Sequence, residues 1–136
     1  MRAHERFITY AKVHTASSED FEKNPSTERQ FDLANMLVRE LKELGVDDAR
    51  VTDSCYVYGS LPATPGYENK PRLGFIAHMD TVPDFSGENV KPTLVPDYDG
   101  GDIPLGDSGR VLSPRDFPSL LELKGRPSSP PTAPPF

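Results

Sequence analysis

The residues best suited to chemistry lie in one stretch, Leu73-Gly74-Phe75-Ile76-Ala77-His78-Met79-Asp80-Thr81. A neutral imidazole is a standard zinc ligand, and a carboxylate two positions away can hold the ring by its other nitrogen. On a strand, residues i and i+2 point to the same face, so His78 and Asp80 can meet. The apolar run predicts a buried strand over 72–77, with both polar groups where it runs out. Open α/β sheets hold their ligands there, in the crevice outside the carboxyl ends of the strands. The spacing alone also fits a strand-end His and a loop-opening Asp with no further role.

The elements that must position this pair are readable to different degrees. Phe7, Ile8, Tyr10 and Ala11 fall at helical spacing and predict an opening helix over 2–13. Residues 15–24 are polar and acidic, a loop by composition. Thr27 with Gln30 three residues on forms a capping-box pattern. From there Phe31, Ala34, Leu37, Val38, Leu41 and Leu44 make one apolar stripe, and Gly45 supplies a left-handed stop. Residues 49–52 and 56–61 read as two β pieces of a hairpin, the second ended by Pro62. A loop over 63–71 then leads into the expected strand. Beyond Asp80, 90–95 reads as a short strand and 96–102 as a turn cluster. Its aspartates lack EF-hand spacing and are read as turn formers. Ser113-Pro114 is expected to open a second helix through Phe117, Leu120, Leu121 and Leu123, ending at Gly125.

Composition bounds the rest. With 136 residues the chain suits one domain. A net charge of −6 argues against nucleic-acid or membrane-surface partners of the usual basic kind. The single cysteine, Cys55, has no disulfide partner within the chain and fits a reducing compartment and a structural role. No apolar run approaches a membrane span, and the N-terminus lacks a signal-peptide core, so the expected location is cytoplasmic. His4 and His14 have no neighbour at ligand spacing and are read as solvated or capping residues. Pro127 to Phe136 is half proline and uncharged, at face value a disordered polyproline-type tail that could serve a Pro-binding module.

Several blocks together carry a resemblance. They are Pro25-Ser26-Thr27-Glu28-x-Gln30, the 74–81 stretch, Pro83-Asp84, Ser86-Gly87, Gly100-Gly101-Asp102-Ile103 with Leu105-Gly106, and Leu112-Ser113-Pro114 before Phe117-Pro118. In this order, from about Glu5 to Arg126, they resemble the dinuclear-zinc exopeptidase family, which includes aminoacylases and glutamate carboxypeptidases. The Pro-Ser-Thr-Glu and Gly-Gly-Asp-Ile blocks point to its tripeptide aminopeptidases. The resemblance implies an α/β fold in which residues 1–126 form the N-terminal part of the catalytic domain, a mixed sheet with packed helices. It implies that His78 is a zinc ligand and that Asp80, hydrogen-bonded to it, is catalytic. It implies zinc, two ions in the intact family, and a small peptide as substrate. The family's other ligands and its Glu general base would lie downstream of this sequence. One His cannot hold a pair of metals about 3.5–4 Å apart, since a catalytic zinc takes roughly three protein ligands. The chain alone is therefore expected to hold no zinc, to be inactive, and to expose apolar faces that make it poorly soluble.

The tail has a second reading. In the family the corresponding helix is followed by a segment like Thr-Leu-Ile-Thr-Thr-Asp-Gly. The codons for Pro127 to Phe136, shifted back by one nucleotide, permit that segment at every position. Residues 127–136 are thus expected to be an out-of-frame reading caused by one nucleotide lost near Arg126. Other functional readings are a different exopeptidase or deacylase of the same family, and a non-catalytic product acting through the Pro-rich tail.

Overall fold

The computed structural model describes residues 2–20, 22–106 and 108–125; the tail over 127–136 lies outside them. The chain divides into two units, one over Thr15–Pro83 and the other combining the residues up to His14 with those from Asp84 onward. The described residues mix helices with two small antiparallel sheets.

The unit over Thr15–Pro83 is built on one helix, here α2 (Gln30–Glu43). Its apolar stripe is buried most deeply at Leu33 and Ala34, while Phe31, Leu37, Val38 and Leu41 are half-buried and Leu44 is exposed. The expected capping box does not form. Thr27 Oγ1 donates instead to the Ala16 carbonyl at 2.9 Å, and Gln30 Nε2 to Ser26 Oγ at 3.3 Å. Thr27 is taken by the Ala16 carbonyl eleven residues back, and Gln30 by the nearby Ser26 hydroxyl. The residue before the helix, Arg29, is already helical, and single turns from Thr27, Glu28 and Arg29 lead in. The other end follows the sequence closely. Gly45 has φ +88°, its N–H donates to the Lys42 carbonyl at 3.0 Å, and Val46 N–H donates to the Leu41 carbonyl at 2.9 Å. These two bonds make a Schellman motif, which needs the left-handed residue that glycine adopts without steric cost.

The Schellman turn delivers the chain into a hairpin of β1 (Arg50–Val51) and β2 (Val57–Tyr58), paired Arg50 with Tyr58 and Val51 with Val57. This is the expected hairpin, reduced to its centre. The turn is closed by Thr52 N–H to the Tyr56 carbonyl at 2.9 Å and Tyr56 N–H to Thr52 Oγ1 at 3.1 Å. Cys55 sits in that turn at φ +62° and is buried, as its structural reading requires. Burial pushes its thiol pKa up, which leaves it an inert small hydrophobe. Val46, Ala49 and Cys55 complete the core with Leu33 and Ala34. Asp48 fastens the hairpin's exit, accepting from Ser60 N–H at 2.8 Å and from the Ser60 hydroxyl.

The expected strand over 72–77 does not form. Residues 71–80 carry no helix or strand, and Leu73, Phe75 and Ile76 are 86%, 94% and 101% exposed. A strand apolar on both faces is stable only between neighbouring strands under helices, and the described residues offer it no such neighbour. Regular pairing appears one step later. Thr81 makes a parallel bridge with Ala16, through Ser17 N–H to the Thr81 carbonyl at 2.9 Å and Thr81 N–H to the Thr15 carbonyl at 3.3 Å.

In the other unit, α1 (Ala3–Tyr10) realises the opening helix, shortened by a turn and with no buried residue. Glu5 reaches back to accept the Arg2 N–H at 2.6 Å, satisfying one of the unpaired donors of its first turn. A core of Tyr98, Ile103 and Leu120, flanked by Val95, Leu112 and Leu123, gathers the later residues. Around it β3 (Ile103–Pro104) pairs antiparallel with β4 (Val111–Leu112). The strand expected over 90–95 is absent, and the helix expected from Ser113 is only a 3-10 helix over Pro118–Leu123. Pro118 is the reason. Inside a helix opened at Pro114 it would lack an N–H to donate and clash with the carbonyl four residues back, whereas at a first position it is tolerated. The turn cluster over 96–102 forms as expected. Tyr98 is its hub, donating its hydroxyl to the Gly101 carbonyl at 2.6 Å and accepting Gly125 N–H at its own carbonyl at 3.2 Å.

The packing around the hairpin can be tested at two positions. A Cβ on Gly59 would stand 2.6 Å from Val46 Cγ1, on a side chain that is itself buried. Gly59→Ala is therefore expected to destabilise this unit by about 1–3 kcal/mol, read as a lowered urea midpoint by circular dichroism. The Ser60 hydroxyl and N–H donated to Asp48 hold its carboxyl below the ordinary carboxylate range. A depressed folded pKa contributes stability above the unfolded value, lost as pH falls through the folded one. Asp48→Asn should thus lower the melting temperature at neutral pH and narrow its gap from wild type in acid.

Candidate metal-ligating site

The site is a pair of side chains held at the start of the only parallel bridge among the described residues. Asp80 precedes Thr81, whose N–H and carbonyl are engaged by Thr15 and Ser17, and Ser17 Oγ adds a third bond to the Thr81 carbonyl at 3.1 Å. This clamp fixes the backbone next to Asp80. His78 turns toward it. Its Nδ1 lies 3.2 Å from Asp80 Oδ1 and 2.8 Å from the Asp80 backbone oxygen.

Both neighbours of Nδ1 are acceptors, so the ring's proton belongs on Nδ1 and Nε2 carries the free lone pair. That arrangement is the one a ligating imidazole uses. The carboxylate fixes the tautomer and the ring orientation. The His78 side chain is 85% exposed and that of Asp80 45%, so Nε2 faces solvent with nothing converging on it. The meeting inferred from the i, i+2 spacing is present without the regular strand that was its premise. The backbone of Asp80, held by the bridge, supplies the constraint.

The donor set stops at these two residues. Among the described residues no group of three or more His, Cys, Asp or Glu side chains is placed to hold a metal ion. Zinc chemistry suits the pair as one ligand with its supporting carboxylate, and a full coordination sphere needs further donors. Sequence reasoning missed the clamp itself. Thr15, Ala16 and Ser17 are small and carry no alternating apolar pattern, so composition assigned them to a loop. Their backbone groups do the positioning, and backbone groups leave no residue-type signal.

No family model matches the chain. Curated relatives do. The chain is 52% identical over 122 residues to peptidase T of Geobacillus kaustophilus (strain HTA426), covering 89% of this chain and 29% of that protein. To peptidase T of Desulfitobacterium hafniense (strain Y51) it is 53% identical over 123 residues, 90% of this chain and 30% of the relative. To that of Aliivibrio fischeri (strain ATCC 700601 / ES114) it is 50% identical over 121 residues, 89% and 29% of the two chains. Over this stretch the chain is a homologue of peptidase T. It spans about 30% of the length of the peptidase T relatives it matches.

One His backed by one carboxylate sets a limit on metal affinity. Titrating zinc into the 136-residue chain is expected to show no saturable uptake in the micromolar range, and His78→Ala to leave the calorimetric trace unchanged. Tight, His78-dependent binding would mean that other donors complete the sphere.

Proposed function

We propose that residues 1–126 are the N-terminal part of the catalytic domain of a zinc-dependent tripeptide aminopeptidase, an α/β domain whose mixed sheet is packed by helices and whose location is the cytoplasm. The observation that carries the reading is the His78–Asp80 pair, with Nδ1 held by a carboxylate and Nε2 turned outward, in a chain about half identical to peptidase T. His78 is assigned as a metal ligand, through Nε2. Asp80 is assigned to the catalytic machinery, where it holds the His78 proton on Nδ1 and orients the ring. Two zinc ions, when bound, would supply an activated water and polarise the scissile carbonyl of a small peptide. The chain's own share of that work is to present Nε2 in one tautomer and one direction. Alone, with a single ligand, it is proposed to be inactive.

Residues 127–136 are proposed to be an out-of-frame reading of the family's next segment, supported by the fit of every shifted codon to a continuation beginning Thr-Leu-Ile-Thr-Thr-Asp-Gly. Sequencing the coding DNA from Arg115 onward tests this directly. One restored nucleotide is expected to open a frame running into further acidic and His ligands. The protein expressed from that frame should release the N-terminal residue of tripeptides and lose the activity to a chelator. Asp80→Ala should lower its kcat/KM by about 10–100-fold. Absence of any such downstream frame, or an intact frame whose product hydrolyses acylated amino acids but no tripeptide, would refute the reading.

A further inference from the structure

The block Pro25-Ser26-Thr27-Glu28-x-Gln30 holds none of the metal-ligating pair, yet its hydroxyls reach the segment that clamps the pair. Thr27 belongs to two elements at once. Its carbonyl accepts Gln30 N–H at 3.3 Å, in the turn that leads into α2, while its hydroxyl donates to the Ala16 carbonyl at 2.9 Å. Ala16 sits at the centre of the parallel bridge, with the Thr15 carbonyl and Ser17 N–H on either side of it engaging Thr81. In a parallel pair the residue between two such bonds turns its own carbonyl away from the partner strand. One edge of the 15–17 segment is thus taken by Thr81 and the other by Thr27. Ala16 is 7% exposed, and the bond from Thr27 is the one its carbonyl makes among the described residues. Ser26 adds a second tie, its hydroxyl oxygen accepting Ser18 N–H at 3.1 Å and Gln30 Nε2 at 3.3 Å.

We propose that Thr27, assisted by Ser26, is a positioning residue for the His78–Asp80 pair, acting through Ala16 and Thr81. The segment over 15–18 carries no helix or strand beyond the single bridge at Ala16, so its place is set by what it is tied to. Thr27 ties it to the start of α2, the longest regular element of the unit. Thr81, and with it the backbone of Asp80, then takes its position from the helix. A buried carbonyl deprived of its donor costs more than the bond itself was worth. Loss of the Thr27 hydroxyl therefore moves the segment until water reaches Ala16, and the bridge to Thr81 loosens with it. The Asp80 carboxylate then spends part of its time out of reach of His78 Nδ1, and the ring loses its bias toward the Nδ1–H tautomer. What this means for catalysis rests on the reading of His78 as a metal ligand; the coupling of Thr27 to the pair does not.

Nuclear magnetic resonance of the nitrogen-15-labelled 136-residue chain tests the assignment. Two signals are read without metal, the hydrogen exchange of the Thr81 amide and the ring-nitrogen shifts of His78 at mildly alkaline pH. They judge the coupling separately from whether His78 ligates zinc. Thr27→Val keeps the shape and removes the hydroxyl. It is expected to speed exchange at Thr81 roughly tenfold and to move the His78 ring toward a mixture of tautomers, with His4 unchanged. Amides in the middle of α2, at Leu37 and Val38, should keep their protection, which a mere loss of helix capping would not allow. Thr27→Ser restores the donor and should bring both signals back to within about twofold of the original. Ser26→Ala should speed Thr81 exchange about threefold, and it carries the test if Thr27→Val loses the helical circular dichroism signal. Unchanged Thr81 exchange and His78 tautomer in a folded Thr27→Val, a Thr27→Ser no better than Thr27→Val, or a Ser26→Ala indifferent at Thr81 overturns the proposal.

Discussion

The candidate site depends on one backbone contact, the engagement of Thr81 by Thr15 and Ser17. Ser17 and Thr81 are 64 positions apart, and closing a loop of that length carries an entropic cost that grows only as the logarithm of its size. The bonds at Thr81 stop the chain just where the apolar run ends, and they immobilise the peptide next to Asp80. An i, i+2 pair in free coil would sample many separations. Here the carboxylate starts from a backbone held at Thr81, and His78, in a stretch with no helix or strand, is brought to it by the contacts of its Nδ1. Rigidity at the acceptor is the condition for a directed ligand nitrogen.

The other anchor of the same unit is the path from α2 through Gly45 into the hairpin. The Schellman turn sets the direction in which Val46 to Ala49 leave the helix. Val46 is buried there, and its Cγ1 leaves room for no side chain at Gly59. Helix, turn and hairpin thus share one small core in which every large side chain keeps some exposure. Among the described residues no buried side-chain polar atom lacks a partner, so the unit is held by completed hydrogen bonds around a thin apolar centre.

What could be read from residue types divides along physical lines. The helix over Gln30–Glu43 and its stop were legible because the apolar period and a single glycine each act locally. The His78–Asp80 contact was legible because spacing alone brings the two groups within reach. Thr27 as a cap was not, since a hydroxyl that can satisfy a helix end can equally donate to Ala16. The apolar text of 72–77 names a strand correctly only if neighbours exist, and a fully buried strand is a property of a sheet. Pro118 contradicted a long last helix and was decisive over the apolar spacing. Ile103–Pro104 and Val111–Leu112 are too short for any periodicity to register, and their pairing is set by the Tyr98 core.

Residues 61–78 are exposed without exception and contribute no strand or helix. Local opening of such a segment costs almost nothing. It also displays Leu61, Tyr67, Leu73 and Phe75, the side chains that endoproteases with apolar specificity pockets and chaperones with apolar clefts engage. Proteolysis of the chain would begin here, by a cut that detaches the hairpin from His78 and Asp80.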